Sequence, residues 1–300
     1  MIRCLFDNNA LADLAKSNAK AIYDLRNRII KLSNTGKISF RFSPIAFYEQ
    51  LAGVNSKESL ANAQNTVKNA YSLTAAGHFL LDPVFHLKRN LSLVSKNDVI
   101  NKGKMWVETF RIFIKCTNVN DFHENFGEMQ SILSNQLDII FKKSSELAQE
   151  GRNSIDFESR RSFKLFLKDR HFRNYLRKSI FESTIDHFNL SSARNYYKLS
   201  KVLRLIPSIL YFVDTRLYLN WKYAAGRNPR SSDYFDLEQL IYLDICDYIL
   251  TMDGGLIDIL DNCGNNGLRN RALRLDFFKS DSNIANLQKR APLTEDEVKI

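Results

Sequence analysis

The strand signals of this chain lie at its two ends, and that distribution restricts the folds open to it. Short apolar runs occur at 2–6 (IRCLF), 38–42 (ISFRF), 248–251 (YILT) and 272–278 (ALRLDFF). Each is short enough for a buried strand and is followed by polar or turn-forming residues. Between about 56 and 225 strand patterning is almost absent and helical periodicity takes over, over 57–76, 103–116, 123–149, 156–188 and 191–222, with interruptions at Pro83 and over 87–102. Strands alternating with helices at the ends predict a mostly parallel sheet covered by helices. The reading is therefore an α/β protein in four stretches. Residues 1–55 form the first part of an α/β unit, 56–225 an all-helical insertion, 226–280 the second part of the unit, and 281–300 a polar tail.

Local signals refine this order. Ala10 to Leu32 reads as one helix whose apolar stripe breaks at Asn18. Ser43-Pro44 is a strong helix start, a capping hydroxyl followed by proline in the first turn. That helix carries Glu49 and ends near Gly53. The segment 226–232 (GRNPRSS) reads as a loop, 233–246 as a helix and Leu256–Leu260 as the start of another.

Of the 300 residues, 43 are Lys or Arg and 33 are Asp or Glu, a formal charge of +10, which favours an anionic partner. Between Gly151 and Arg204, thirteen basic residues face five acidic ones. Helical spacing there interleaves Phe163, Phe166, Phe172 and Tyr175 with cations. One reading is a core-facing aromatic stripe with a solvated basic back. A second is a phosphate-contacting surface built from Arg160, Arg161, Lys164, Lys168 and Arg173, and a third is a membrane-surface helix. The start of the chain does not read as a signal peptide, and the apolar stretch Leu205–Trp221 carries Pro207, Asp214 and Arg216, so a buried helix and a cytoplasmic protein with no membrane partner are expected. Cys4, Cys116, Cys246 and Cys263 lie far apart, without metal-ligand spacing. Five histidines form no HExxH pattern, and no Walker or GxGxxG loop occurs.

The informative residues are carboxylates at predicted strand ends, where ligands of open parallel sheets bind. Asp7 follows the first strand, Glu49 lies on the helix after the second, and Asp253 follows the third. Asp233 and Asp236 share one face of the helix that precedes the third strand. Carboxylates brought together resist ionising together unless a cation relieves them, and Mg²⁺ prefers such oxygen ligands. A cluster of this kind predicts metal-assisted phosphodiester hydrolysis.

FDNNALADLA, SPIAFYEQL and SSDYFDLEQLIYLDICDYILTMDGGL resemble the motifs of PIN-domain ribonucleases, over roughly 1–55 and 230–278. The resemblance implies a PIN-like α/β/α sandwich and a metal-dependent endoribonuclease. It implies Mg²⁺ or Mn²⁺ held by Asp7, Glu49, Asp236 (or Asp233) and Asp253. It gives Asn9 the role of orienting Asp7, makes Ser43 the start of the second motif, and places Thr251 in hydrogen bonds around Asp253. RNA is the implied partner, and a toxin or phage-defence role is compatible with the family. The insertion of about 170 residues departs from small PIN proteins and offers a surface for a protein partner or a second copy. The alternatives are a structure-selective DNA nuclease and a catalytically silent RNA-binding scaffold.

Overall fold

The computed structural model describes residues 1–16, 20–74, 80–154, 161–168, 170–190, 206–230 and 232–290. Four strands, β1 (Ile2–Phe6), β2 (Ile38–Arg41), β3 (Tyr248–Leu250) and β4 (Ala272–Leu273), form one sheet in the order β2-β1-β3-β4. All three pairings are parallel. The sheet therefore unites the two ends of the chain: β1 and β2 from the first 41 residues flank the same centre as β3 and β4. Phe6 is in register with Leu250, which sets Asp7 beside Thr251 at the carboxyl edge.

The described residues of the first half include the helices α1 (Asn8–Ala15), α2 (Lys20–Asn34), α3 (Pro44–Ala52), α4 (Lys57–Leu73), α5 (Pro83–Asn90), α6 (Lys96–Lys115) and α7 (Val119–Ser154). Further helices follow at Phe163–Phe166, Arg170–His187, Pro207–Ala224, Ser232–Gln239, Gly254–Asn262 and Asp281–Arg290. Successive strand residues point to opposite faces of a sheet, and the two hydrophobic cores follow that rule. Ile2, Cys4, Phe6 and Leu250 join the core under α1, α2, α4 and α6. Leu5 and Ile249 join the core beneath the Pro207–Ala224 helix. Helices thus cover both faces.

The helical stretch 56–225 has no separate core among the described residues. Its members divide between the two cores, Trp106, Phe110, Phe113, Phe122 and Phe126 on one side and Leu87, Phe163, Phe188 and Phe212 on the other. Phe47 of α3 anchors the first group, with ring centroids 4.8 Å from Phe110 and 5.1 Å from Phe113 in edge-to-face geometry. Such aromatic burial is the largest apolar contribution in cores of this kind. The Pro207–Ala224 helix buries Ile209, Phe212, Val213, Leu217, Tyr218 and Leu219, which fulfils the buried-helix reading of this stretch. No described helix is long and apolar enough to cross a membrane. The four cysteines are free and buried.

Several elements differ from the sequence reading. The first helix is two, α1 closing at Lys16 and α2 opening at Lys20, around the break expected at Asn18, which lies outside the described residues. The interruption over 87–102 holds helix on both sides of a short turn. Asp82 caps α5, and Ser95 and Asp98 form a capping box for α6, so side-chain caps outweigh the weak apolar pattern. Only Ala272–Leu273 of 272–278 is strand, because Leu275 and Phe278 bury the same side of a 3-10 turn at helical spacing. The helix read over 233–246 is α-helical to Gln239 and tightens to a 3-10 turn over Leu240–Asp244. The tail is helical over Asp281–Arg290 with Ile284 and Leu287 buried; residues 291–300 lie outside the described set. Of the helix read over 156–188, residues 156–160 and 169 lie outside the described set, and the rest holds helices at Phe163–Phe166 and Arg170–His187. Of the stretch read as a helix over 191–222, residues 191–205 lie outside the described set.

Ser43 has the role its sequence context suggests. Its Oγ accepts from Ala46 N at 3.3 Å while Pro44 fills the first turn of α3. Since α3 carries Glu49, this cap fixes one wall of the carboxylate region. Ser43→Ala is expected to cost about 1 kcal/mol of global stability, read as a lowered midpoint in urea with an unchanged m value.

Candidate active site

Asp7 is fully buried and sits at the carboxyl end of the central strand β1. Its backbone N–H donates to Leu250 O at 2.9 Å, continuing the sheet ladder one residue past the strand. Its carboxylate is held by three donors. Thr251 Oγ1 donates to Oδ2 at 2.7 Å, Gln239 Nε2 to Oδ1 at 2.8 Å, and Asn8 N to Oδ1 at 2.7 Å. Burial raises the Asp7 carboxyl above its ordinary range, and these hydrogen bonds pull it back in part.

Thr251 also ties Asp7 to Asp253. While its hydroxyl donates to Asp7, its oxygen accepts from Asp253 N at 2.9 Å. Asp253 then caps the Gly254–Asn262 helix through Gly255 N. A side chain at Gly255 would meet Asp253 Oδ1 at 2.9 Å, so any larger residue must displace the capping carboxylate.

Glu49 comes from α3, half-buried. Burial first, then the charges of Asp7 and Asp253, push its carboxyl up from 4.5 to about 7, while a hydrogen bond from the Asn8 side chain opposes this. The Asn8 carbonyl oxygen accepts from Gln50 Nε2. Asp236 stands on the Ser232–Gln239 helix, which packs against α3. It is 5% exposed and makes no hydrogen bond to a described residue. Burial, followed by the charges of Asp7, Glu49, Asp253 and Asp233, raises its carboxyl well above the ordinary range.

Asp233, three residues earlier, has a different environment. Tyr223 OH donates to it at 2.7 Å and Arg230 N at 2.9 Å, and the Arg227 guanidinium forms an ion pair with it. The two acidic residues that sequence spacing left as alternatives are thus distinguished by their partners. Asp233 is paired and hydrogen-bonded, whereas Asp236 has no partner among the described residues, and burial and its acidic neighbours oppose its ionisation.

Asp7, Glu49, Asp236 and Asp253 act on one another electrostatically. They do not close on one point: among the described residues, no three His, Cys, Asp or Glu side chains are arranged to hold a metal ion. Like charges without a counterion favour separated side chains, so the two observations are compatible. The donors around Asp7 are Asn8, Gln239 and Thr251, and Asn9 makes no hydrogen bond to it.

Gln239 and Arg227 escape sequence reading. Gln239 is fully buried, donates to Asp7, and leaves its Oε1 without a partner. Its spacing of three from Asp236 was the available signal. Arg227 sits in a loop whose sequence shows only turn chemistry.

The basic segment is partly visible. Arg161, Lys164 and Lys168 are exposed, beside Phe163 and Phe166, which are buried. Arg160 lies outside the described residues, as does the side chain of Arg173. Tyr175 is 70% exposed and departs from the core-facing stripe.

The raised carboxyls have a pH consequence. A carboxyl whose folded pKa exceeds its unfolded value binds more protons when folded. Its stabilising contribution is complete below the unfolded value and is lost as pH rises through the folded one. For Glu49 that window runs from 4.5 to about 7. In EDTA, wild type should lose on the order of 2 kcal/mol relative to Glu49→Gln between the two ends of the window, after discounting for partial exposure. Urea titrations of both proteins at pH 5 and pH 8 measure this; an equal change in the two would contradict it.

Compared with protein-family models, with curated proteins and with solved structures, the chain gives no match.

Proposed function

We propose that this chain is a metal-dependent nuclease with a PIN-like α/β/α sandwich, and that RNA is its preferred substrate. The observation that carries the reading is the buried, unpartnered carboxyl of Asp236, close enough to Asp7, Glu49 and Asp253 beyond the carboxyl ends of a parallel sheet for each to oppose its ionisation. The donor set is all oxygen, which suits Mg²⁺ or Mn²⁺. The buried, orphaned Gln239 Oε1 adds an unpartnered oxygen on the side chain that donates to Asp7.

On this reading Asp7, Glu49, Asp236 and Asp253 would hold the metal, which would supply an activated water and charge for the leaving oxygen. Thr251 and Gln239 keep Asp7 in one orientation, and Thr251 fixes the backbone at Asp253. Asn8 ties α1 to α3, its carbonyl oxygen accepting from Gln50 Nε2, and lowers the Glu49 carboxyl against the effect of burial. The exposed cations Arg161, Lys164 and Lys168 would attract a polyanion, consistent with the formal charge of +10. The helical stretch is then the surface that selects the polymer or a protein partner.

One observation favours a second reading, a silent nucleic-acid-binding scaffold: no three acidic side chains among the described residues are arranged around a metal position. Cleavage of labelled RNA and DNA in Mn²⁺ and in EDTA separates the two. Metal-dependent cutting of RNA, lost in Asp7→Asn and Asp253→Asn, is the expected result. Cutting of branched DNA alone would replace RNA by DNA as substrate. Binding without cutting, unchanged in both variants, would support the scaffold.

A further inference from the structure

One helix turn from Asp236, on the side of Asp233, the surface opens into a small cleft between α7 and the Pro207–Ala224 and Ser232–Gln239 helices. Its volume is about 70 Å³, and Arg216, Arg230, Asn220, Ser144, His187 and Asp233 line it. The space is enough for one tetrahedral oxyanion.

The charges in this cleft are unbalanced. Arg216 is mostly buried yet forms no ion pair and no hydrogen bond with a described residue. The Arg230 guanidinium is likewise without a described partner; its backbone N–H alone is engaged, with Asp233. The acidic residue in the lining, Asp233, already pairs with Arg227 and accepts from Tyr223 OH. Glu238 accepts from His187 Nε2 at 2.9 Å and from Tyr234 OH. Both guanidinium heads reach solvent, so an entering anion can meet them, and the partial burial of Arg216 strengthens the attraction. Burial accordingly lowers the Arg216 pKa. Two guanidinium groups, the Asn220 amide and the Ser144 hydroxyl form a donor set suited to phosphate oxygens.

The cleft is linked to the carboxylates. Arg227 pairs with Asp233, and its Nη2 lies 4.0 Å from the point a Gly255 side chain would occupy, next to Asp253. Asp233 and Asp236 are separated by about one turn of helix, roughly 5 Å of rise. Cations therefore run from the carboxylate region through Arg227 to Arg230 and Arg216.

We infer that Arg216 and Arg230 form a subsite for one internal phosphate of a bound nucleic-acid strand, seated beside the phosphodiester at the carboxylates. This rests on the nuclease reading for its substrate, but it is tested without catalysis. Binding of a labelled single-stranded RNA is measured in EDTA against salt concentration, for wild type, Arg216→Gln and Arg230→Gln. Arg230 is exposed, so its variant leaves the core intact if Arg216→Gln should unfold.

Each variant is expected to bind about tenfold more weakly. The slope of log affinity against log salt should fall by about 0.7, the value for one fewer phosphate neutralised on a single strand. The weakening should be equal for 5′-hydroxyl and 5′-phosphate strands. Wild-type affinity and slope in Arg230→Gln would overturn the subsite, and so would a weakening confined to the 5′-phosphorylated strand. If the nuclease reading fails, metal-dependent cleavage is absent while the arginine-dependent slope persists. If only the subsite fails, cleavage is present and the slope is unchanged.

Discussion

Asp236→Asn is expected to abolish metal-dependent cleavage and at the same time to raise the melting temperature of the metal-free protein. The substitution keeps size and shape and removes a carboxyl whose ordinary ionisation burial and the neighbouring carboxylates oppose in the folded protein. Asp236 makes no hydrogen bond to a described residue, so none is given up in exchange. Raised stability of a variant with lost function is the signature of a strained functional site. The expected loss of rate is about a thousandfold, several kcal/mol of transition-state stabilisation. Mn²⁺ should raise the melting temperature of wild type and leave that of Asp236→Asn unchanged. A variant that is destabilised in EDTA, or that cuts at the wild-type rate, would contradict this assignment.

Asp233→Ala is expected to do the opposite, with a large loss of stability. The Asp233 side chain is 4% exposed and that of its partner Arg227 is 19% exposed. Removing the carboxylate leaves a mostly buried guanidinium and the Tyr223 hydroxyl without their acceptor, and frees the Arg230 backbone N–H. Breaking a buried pair in this way costs about 3–5 kcal/mol. Chemical denaturation measures the loss. The double variant with Arg227→Leu should recover part of it, since the orphaned charge goes too. A double variant no more stable than Asp233→Ala alone would show that the pair itself is not the source. Two acidic residues three positions apart on one helix thus separate into one that supports the fold and one that strains it.

That separation was beyond the reach of spacing. Both residues share a helix face, and a helix pattern reports the face without reporting what meets it. The difference arises from Tyr223 and Arg227, which approach from the end of one helix and from a loop. The strand ends, by contrast, were legible. Asp7 after IRCLF and Asp253 after YILT follow from short apolar runs that stop at an acidic residue, and parallel pairing with Phe6 opposite Leu250 places them at one edge. The Ser43-Pro44 start was equally clear, because a cap and a proline each have a local mechanism.

Gln239 was hidden for a different reason. Its spacing of three from Asp236 marks only a shared helix face, and its bond to Asp7 spans 232 positions of sequence. The helix around Asn8 misled the reading of Asn9 in the same way: one position decides whether an amide faces α3 or turns away, and the residue that meets Glu49 and Gln50 is Asn8. The division of the helical stretch between both sheet faces was also invisible, since an amphipathic stripe does not say which core it joins.

The most direct test of the account is calorimetric titration of the intact protein with Mn²⁺ at neutral pH, in two buffers of different ionisation enthalpy. Carboxyls held partly protonated by burial and by one another must release protons when a cation binds. The account predicts saturable binding with net proton release, and loss of both in Asp236→Asn but not in a stable Asp233 variant such as the double change with Arg227→Leu. Absence of saturable binding to wild type, or binding that survives Asp236→Asn with its proton release intact, would contradict the carboxylate site as a metal centre.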